Sequence, residues 1–464
     1  MTRRFDLCVI GGGSGGLSVA AGAAQMGASV VLFEGHRMGG DCLNSGCVPS
    51  KALLAIAKGS VRPVMDPVVE YARAKARVRE VVDSIAPHDS VERFEALGVT
   101  VIQQRAQFLD AKTVTGGDHT VRARRIVIAT GSRPRIPTIP GLDRVPYWTS
   151  DTLFQEDQFP ASLIILGGGA IGLEMAQAHR LLGSEVTVIE SVALLPRDEP
   201  VLVAELQALL EVSGIQFFVG TAVTHVTETD DRQVCVQLEN GRTVTADRLL
   251  IATGREPNID DLGLDRAGVD TTARGVTTDD RLRTSQRHIF AIGDVAGRQT
   301  LTHVAGAHAS VVVKQALFGW PAKIDRQTVP WVTYTDPELA HVGLSASERD
   351  ARIPLSQQRV IEIPFSDIDR ARCEGRTDGR IRLITDAKAR ILSVDLLGQH
   401  AGELILPWVM AIDQGLRLTQ IASTIVPYPT RSEITKRVAG AYFTPRLFSS
   451  RTRAIVRWIQ RWIP

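Results

Sequence analysis

Cysteine is scarce in this chain, five in 464 residues. That density excludes a secreted scaffold stapled by disulfides. It fits a reducing cytoplasm, where a close cysteine pair carries chemistry rather than structure. Net charge is almost absent as well, at +2, so no bulk field draws nucleic acid or an acidic partner. No apolar run reaches about 18 residues, which excludes a simple transmembrane helix. Arg3 and Arg4 hint at an export signal, but Asp6 interrupts the apolar stretch behind them and that stretch ends at Ile10 in glycines. A strand feeding a loop explains it better. No second Cys/His pair has the spacing to complete a metal site, so no metal is expected. With 44% hydrophobic and 22% charged residues, the chain reads as globular and long enough for about two to four domains.

What is present is a pattern that occurs twice. An apolar strand over 5–10 is followed by Gly11, Gly13 and Gly16, an apolar helix to about Met26, and a strand ending at Glu34. Later, a strand over 163–166 is followed by Gly167, Gly169 and Gly172, a helix to Leu182, and a strand ending at Glu190. In both copies the acid lies 18 residues after the third glycine. Each copy later has a strand running into Ala-Thr-Gly, at Ala129-Thr130-Gly131 and Ala252-Thr253-Gly254. A glycine loop between strand and helix makes the tight turn, admits a pyrophosphate to the backbone, and lets helix and strand pack closely. The helix start supplies free N–H groups and partial positive charge, and the acid accepts from ribose hydroxyls. One such loop is a weak signal; two with equal spacing to an acid predict two dinucleotide sites. The carboxylate of Glu190 repels a ribose 2′-phosphate, which favours NAD(H) over NADP(H), although Arg197 nearby weakens that preference.

The expected fold is therefore α/β, with two Rossmann-like dinucleotide-binding domains and a C-terminal α+β domain. The boundaries read as 1–149 completed by 275–329, then 150–274, then 330–464. Helical patterning is expected over 65–97, a Pro/Gly-rich linker over 133–148, and a helix from about His303 to Phe318.

The first copy holds extra sequence, and in it lies Gly39-Gly40-Asp41-Cys42-Leu43-Asn44-Ser45-Gly46-Cys47-Val48-Pro49-Ser50-Lys51. Two cysteines five apart do not share a face of a regular helix. They can be bridged at a distorted helix start, where Gly46 permits unusual backbone angles. A thiol near a helix N-terminus has a lowered pKa, and its thiolate is reactive. The bland alternative is a pair of small buried hydrophobes or half a metal site.

On these motifs the chain resembles the class I pyridine nucleotide–disulfide oxidoreductases, in the branch of dihydrolipoamide dehydrogenase and mercuric reductase. The resemblance implies FAD on Gly11, Gly13, Gly16, Glu34, Lys51, Thr130, Gly131 and Asp294. It implies NAD(H) on Gly167, Gly169, Gly172 and Glu190, with Gly254 and Arg255 nearby. Cys47 would face the flavin as the charge-transfer thiolate, and Cys42 would be the interchange thiol. Lys51, buried and charged, would pair with Glu174. The C-terminal domain would make a homodimer. The implied activity is hydride transfer from nicotinamide through FAD to the Cys42–Cys47 disulfide. From there the electrons pass to a small-molecule or protein-bound disulfide or dithiol partner.

The sequence departs from the family where a catalytic histidine is expected. The segment reads Tyr428-Pro429-Thr430-Arg431-Ser432-Glu433, so Glu433 is present and the His is Tyr428. A tyrosine of pKa about 10 donates a proton more readily than it accepts one. Tyr428 is either a packing residue or a binding and proton-donating one for another acceptor. No cysteine follows Cys373, so the C-terminal metal-delivery pair of mercuric reductases is missing. The tail 446–464 reads as a basic amphipathic helix for weak membrane-surface contact, or as a helix packing on its own protein. Alternatives to a general disulfide reductase are dihydrolipoamide dehydrogenase proper, a metal-ion or quinone reductase, and a redox-responsive binding flavoprotein.

Overall fold

The computed structural model describes residues 3–59, 66–324 and 329–463. They form two compact units, Met1–Ala193 with Ile215–Ile324, and Leu194–Gly214 with Asp325–Pro464. The first unit contains both copies of the repeated pattern. In the first copy the strand Arg3–Ile10 lies centrally, parallel to Val30–Phe33 on one side and His119–Ile128 on the other. Its residues alternate between two cores: Leu7 and Val9 join one, Cys8 and Ile10 the other. Both faces are covered by the chain, so a near-continuous apolar run, not an alternating one, encodes the strand. Val99–Ile102 extends the sheet beside Val30–Phe33. Ile289–Ala291 returns from far along the chain to pair with Ile126–Ile128.

The second copy repeats this order. Ser162–Leu166 lies between Glu185–Glu190 and Arg248–Ile251, all parallel, with Gln216–Val219 outside. Each copy also inserts antiparallel strands before its closing strand, at 107–116 and at 223–246. The segment expected to be a linker over 133–148 begins as structure: Ser132–Pro134 pairs antiparallel with Arg255–Pro257. The two Ala-Thr-Gly turns thus lead into one two-stranded ribbon.

The helical pattern expected over 65–97 starts at a residue outside those described. From Asp66 onward it is one helix, Pro67–Ile85, then a 3-10 turn, Ala86–Asp89, and a short helix, Val91–Ala96. Asp66 caps the first by accepting from Val68 and Val69 N–H at 3.1 and 3.2 Å. Pro87 offers no N–H, which ends the regular helix there. Thr302–Phe318 is helical, one residue longer at its start than expected.

In the second unit a five-stranded antiparallel sheet has Ile391–Gly398 as its central strand, with all eight residues buried. The helices Leu406–Asp413 and Glu433–Ala441 contribute Trp408, Ala411, Ile434 and Val438 to its core. This is the α+β architecture expected. The helix Pro200–Val212 groups with this unit, not with the second nucleotide-binding copy from which it continues. A polar cluster is buried here too. His341 Nδ1 lies 2.5 Å from Asp395 Oδ1, Trp331 stacks on His341, and Trp331 Nε1 donates to Asp198 at 2.8 Å. The tail forms the helix Ser450–Ile459, capped by Ser449, and none of its residues is buried. Its Ile455, Trp458 and Ile459 side chains are exposed in the single chain.

The third and middle glycines of the second loop carry opposite demands. A Cβ at Gly172 would stand 2.0 Å from Gly167 O, whereas one at Gly169 would meet nothing within 4 Å. Gly172→Ala should lower unfolding stability by about 1–3 kcal/mol, while Gly169→Ala leaves it nearly unchanged. Thermal unfolding of the two variants checks this; equal midpoints would contradict it.

Candidate active site

Both glycine loops are held by one set of contacts. Gly11 N donates to Phe33 O at 2.8 Å, and Gly167 N to Ile189 O at 2.9 Å. Ala129 N donates to Ile10 O, and Ala252 N to Leu166 O, at 2.8 and 2.7 Å. The first glycine sits at φ +110° and +117° in the two copies, and a Cβ on it would lie 2.3 Å from the carbonyl of Ala129 or Ala252. Only glycine fits there. Gly13 and Gly169 stand as the N-caps of the helices Ser14–Gln25 and Ala170–Leu181 with extended backbones. The acids close each loop. Glu34 accepts from Gly12 N at 2.6 Å and His36 N at 2.7 Å; Glu190 accepts from Gly168 N at 2.8 Å and Val192 N at 2.9 Å.

Beside the first loop lies a cleft of about 1270 Å³ lined by Gly11, Glu34, Gly40, Asp41, Thr130 and Ser132. That exceeds the roughly 300–1,000 Å³ of a small-ligand site. Thr130 Oγ1 donates to Asn258 O at 2.7 Å, and Gly131, at φ +69°, has no atom near its missing Cβ. Asp294 accepts from Ser132 Oγ at 2.6 Å. A helix start without side chains, a carboxylate on the adjacent strand end, and a long cleft together fit a dinucleotide such as FAD.

Cys42 and Cys47 occupy two helices. Cys42 lies in the short Gly40–Asn44 turn, and Cys47 is the first residue of Cys47–Gly59. The unusual backbone angles are at Gly39 and Gly40, with φ of +88° and +58°, and not at Gly46 as the sequence suggested. Gly46 is needed for space instead, because a Cβ there would lie 3.0 Å from Asp41 O. Asn44 Nδ2 ties the turn by donating to Met38 O and Gly40 O at 3.0 and 2.8 Å.

The two thiols share protons unequally. The thiol of Cys42 donates to Cys47, and this contact is the largest cause holding the Cys47 pKa down to about 6. Thr302 Oγ1 at 3.3 Å, the Lys51 charge and the backbone N–H at the helix start act in the same direction, against burial. The same hydrogen bond, with burial and the Cys47 charge, pushes Cys42 far up. The pair is therefore one thiol and one thiolate at neutral pH.

Lys51, one turn after Cys47, places Nζ 2.6 Å from Glu174 Oε2 and 3.3 Å from Ser50 Oγ. The expected burial is reversed: the Lys51 side chain is 36% exposed and Glu174 only 4%. The ammonium at the rim pairs with a carboxylate that could not otherwise stay buried.

Arg255, expected near the nicotinamide dinucleotide, finds its partners in the first copy. It donates to Ser132 Oγ and O at 2.7 and 2.8 Å, pairs with Asp41, and stands 4.0 Å from Asp294. It thus links the ribbon to the segment just before Cys42. Gly254 beside it sits at φ +109°. Thr302, Ser132, Asp41 and Ser14, which also bonds to Cys42, are site residues that sequence reasoning did not single out. Asp41 alone carried a signal, as the neighbour of Cys42.

In the second unit Tyr428 is 70% exposed and its hydroxyl donates to Asp369 Oδ2 at 3.0 Å. That bond and the Asp369 charge push its ionisation above the ordinary tyrosine range. Both favour the neutral phenol, and the side chain is exposed in the single chain. Glu433 opens the helix Glu433–Ala441, with Oε1 3.9 Å from Arg437. Its Oε2 is buried without a hydrogen-bond partner among the described residues. Cys8 is buried, Cys235 half-buried and Cys373 exposed. Among the described residues no helix is long and apolar enough to cross a membrane.

Residues 5–309 match the pyridine nucleotide-disulphide oxidoreductase family, and residues 329–439 match that family's dimerisation domain. A mercuric reductase of Streptomyces lividans is 34% identical over 458 residues, covering 94% of this chain and 96% of its own. A dihydrolipoyl dehydrogenase of Haloferax volcanii is 34% identical over 459 residues, covering 94% and 95%. Among solved structures, the Cu(II) complex of the HOCl-induced flavoprotein disulfide reductase RclA from Escherichia coli superposes with a TM-score of 0.87 at 28% identity. It covers 95% of this chain and 100% of that one.

The proton partition predicts a pH profile. In the reduced protein the Cys47 thiolate persists down to about pH 6 and is lost below it. Thiolate absorbance or alkylation rate against pH should show that midpoint. Cys42→Ala, which removes the largest cause, should move it upward, and Thr302→Ala should move it upward by less. A midpoint unmoved by Cys42→Ala would refute the assignment.

Proposed function

The chain belongs to the pyridine nucleotide-disulphide oxidoreductase family, and on that premise we propose that Cys42 and Cys47 are its redox-active pair. It is an FAD-dependent NAD(P)H:disulfide oxidoreductase, and its dimerisation domain supports a homodimer. The observation that carries the proposal is the thiol donating to a thiolate at the start of a helix, beside a paired lysine. Bound FAD supplies the two-electron relay between reduced nicotinamide and disulfide.

The first glycine loop, with Gly11, Gly13 and Gly16, would hold the FAD pyrophosphate, and Glu34 would accept from the ribose. Thr130, Gly131, Asp294 and Lys51 complete that site. Gly167, Gly169 and Gly172 do the same for NAD(H), with Gly254 at its edge, and Glu190 disfavours a 2′-phosphate. In this reading residues 1–149 with 275–329 form the FAD domain, 150–274 the nicotinamide domain and 330–464 the dimerisation domain. The pairing of Ile289–Ala291 with Ile126–Ile128 supports the first of these.

When two electrons open the disulfide, Cys47 leaves as the stabilised thiolate and Cys42 takes the proton. Cys42 then gives up that proton and attacks an acceptor disulfide, forming a mixed disulfide and releasing one thiol. Cys47 attacks the Cys42 sulfur, reforms the Cys42–Cys47 bond and releases the second thiol. Lys51 favours the negative charge at Cys47 while that sulfur is a free thiolate, and Glu174 holds Lys51. The step that needs help is deprotonation of Cys42, whose pKa is far raised. Tyr428 cannot accept that proton, so we assign it acceptor binding or proton donation, with Glu433 beside it in sequence. A reducing compartment such as the cytoplasm suits a pair that cycles through a dithiol, and the exposed tail suits weak membrane-surface contact.

A second reading, a metal ion as acceptor, is favoured by the thiol–thiolate pair itself, a ligand for soft metals. The likeness to mercuric reductases and to the Cu(II) complex of RclA supports it.

Steady-state NADH oxidation with lipoamide separates the readings. The unmodified protein should turn over slowly, and Tyr428→His should raise kcat at least about tenfold, toward the 10²–10⁴ of general acid–base catalysis. The rate at which NADH reduces Cys42–Cys47 should not change. Brisk lipoamide turnover by the unmodified protein would show that no histidine is needed and that the enzyme is a dihydrolipoamide dehydrogenase.

A further inference from the structure

The tail has no role in the reaction above, and its surface is unlike the rest of the chain. After Glu433 the sequence contains seven Lys or Arg and no Asp or Glu. The net +2 of the whole chain therefore resolves into +7 over this stretch and −5 over everything before it. The helix Ser450–Ile459, and the turn that continues it to Trp462, sort these residues onto faces. Arg453, Arg457 and Arg461 follow at four-residue intervals along one side. Ile455, Trp458, Ile459 and Trp462 follow at i, i+3, i+4 and i+7 along the other. All four apolar side chains are exposed, Trp462 to 75%, and Leu447 and Phe448 just before the helix extend the patch. Among the described residues none of the arginines in this tail has an ion-pair partner.

We propose that the helix Ser450–Ile459, with the residues that flank it from 446 to 463, docks the protein on an anionic lipid surface. Three observations favour a bilayer over other occupants. The apolar stripe carries two tryptophans flanked by arginines, the composition of a helix lying at the headgroup boundary. The positive charge is uncompensated locally and complements acidic headgroups. The tail also lies beyond residues 329–439, the part matched to the dimerisation domain, so the family's subunit contact does not account for it. Nucleic acid would use the arginines and leave the Ile/Trp face in water. Ser449 preforms the first turn through its bond from Thr452 N at 3.2 Å, which reduces the ordering cost of docking. The consequence is that the redox pair works at a membrane surface, where the local concentration of lipid-borne acceptors is high.

The test is co-sedimentation of the full-length holoprotein with vesicles of phosphatidylcholine alone or mixed with phosphatidylglycerol. Binding should occur with the anionic vesicles, be weak with the neutral ones, and fall when salt rises to about 0.5 M. Arg453→Gln, Arg457→Gln and Arg461→Gln together should weaken it on the order of a hundredfold, at roughly fivefold for each charge. Trp458→Ala with Trp462→Ala should weaken it roughly tenfold or more, with the NADH-driven rate in solution unchanged. Absent binding, or equal binding to neutral vesicles, would overturn the proposal. So would a tryptophan pair whose removal splits the dimer yet leaves vesicle binding intact, which would make the face a contact between copies of the chain.

Discussion

The ammonium of Lys51 lies 2.6 Å from the carboxylate of Glu174, and that contact joins the helix that begins at Cys47 to the helix that begins behind the second glycine loop. Glu174 is almost fully buried, so its charge is tolerable only with a cation against it. Lys51 is consequently held at one position, a turn away from Cys47, where its charge helps keep a proton off that sulfur. The same residue therefore serves the packing between the two nucleotide-binding copies and the chemistry of the thiol. The asymmetry of exposure matters: the buried partner is locked by its surroundings, and the lysine at the rim remains available to the cleft.

The duplicated copies solve one steric problem in one way. The backbone of the strand–turn–helix crossing comes so close to the following Ala-Thr-Gly turn that no Cβ fits, in both copies and to within 0.1 Å at the corresponding glycines. What separates the copies is the insertion in the first, which carries Gly39 to Lys51. That segment reaches the glycine loop by its own close approach, since a Cβ at Gly40 would stand 2.7 Å from Gly13 Cα. The cysteines are thus placed relative to the phosphate loop by backbone contact, which is stiffer than any side-chain bond.

Much of this was legible in the sequence because it is local. Glycine spacing fixes a turn, a strand-ending acid falls on the loop before it, and two cysteines in one short segment must be neighbours. What could not be read there came from contacts that the chain closes only in three dimensions. Thr302 reaches Cys47 from 255 residues away, and nothing in its surroundings marks it. Arg255 follows a glycine turn that belongs to the second copy, yet its side chain serves Ser132 and Asp41 of the first. Gly46 looked like the flexible point between the cysteines, but the left-handed turns are earlier, at Gly39 and Gly40, because the loop must bend where it meets Gly13. The chemistry of Tyr428 could be read from its residue type; its engagement with Asp369, distant in sequence, could not.

The central claim, that electrons from reduced nicotinamide pass into Cys42–Cys47, is tested most directly by differential alkylation. The oxidised protein is treated with one thiol reagent, then with NADH under anaerobic conditions and a second reagent, and the labels are located by mass spectrometry. The account predicts that Cys42 and Cys47 escape the first label and take the second, while Cys373 takes the first. If NADH is consumed and neither Cys42 nor Cys47 gains the second label, the electrons bypass the pair and the account is wrong.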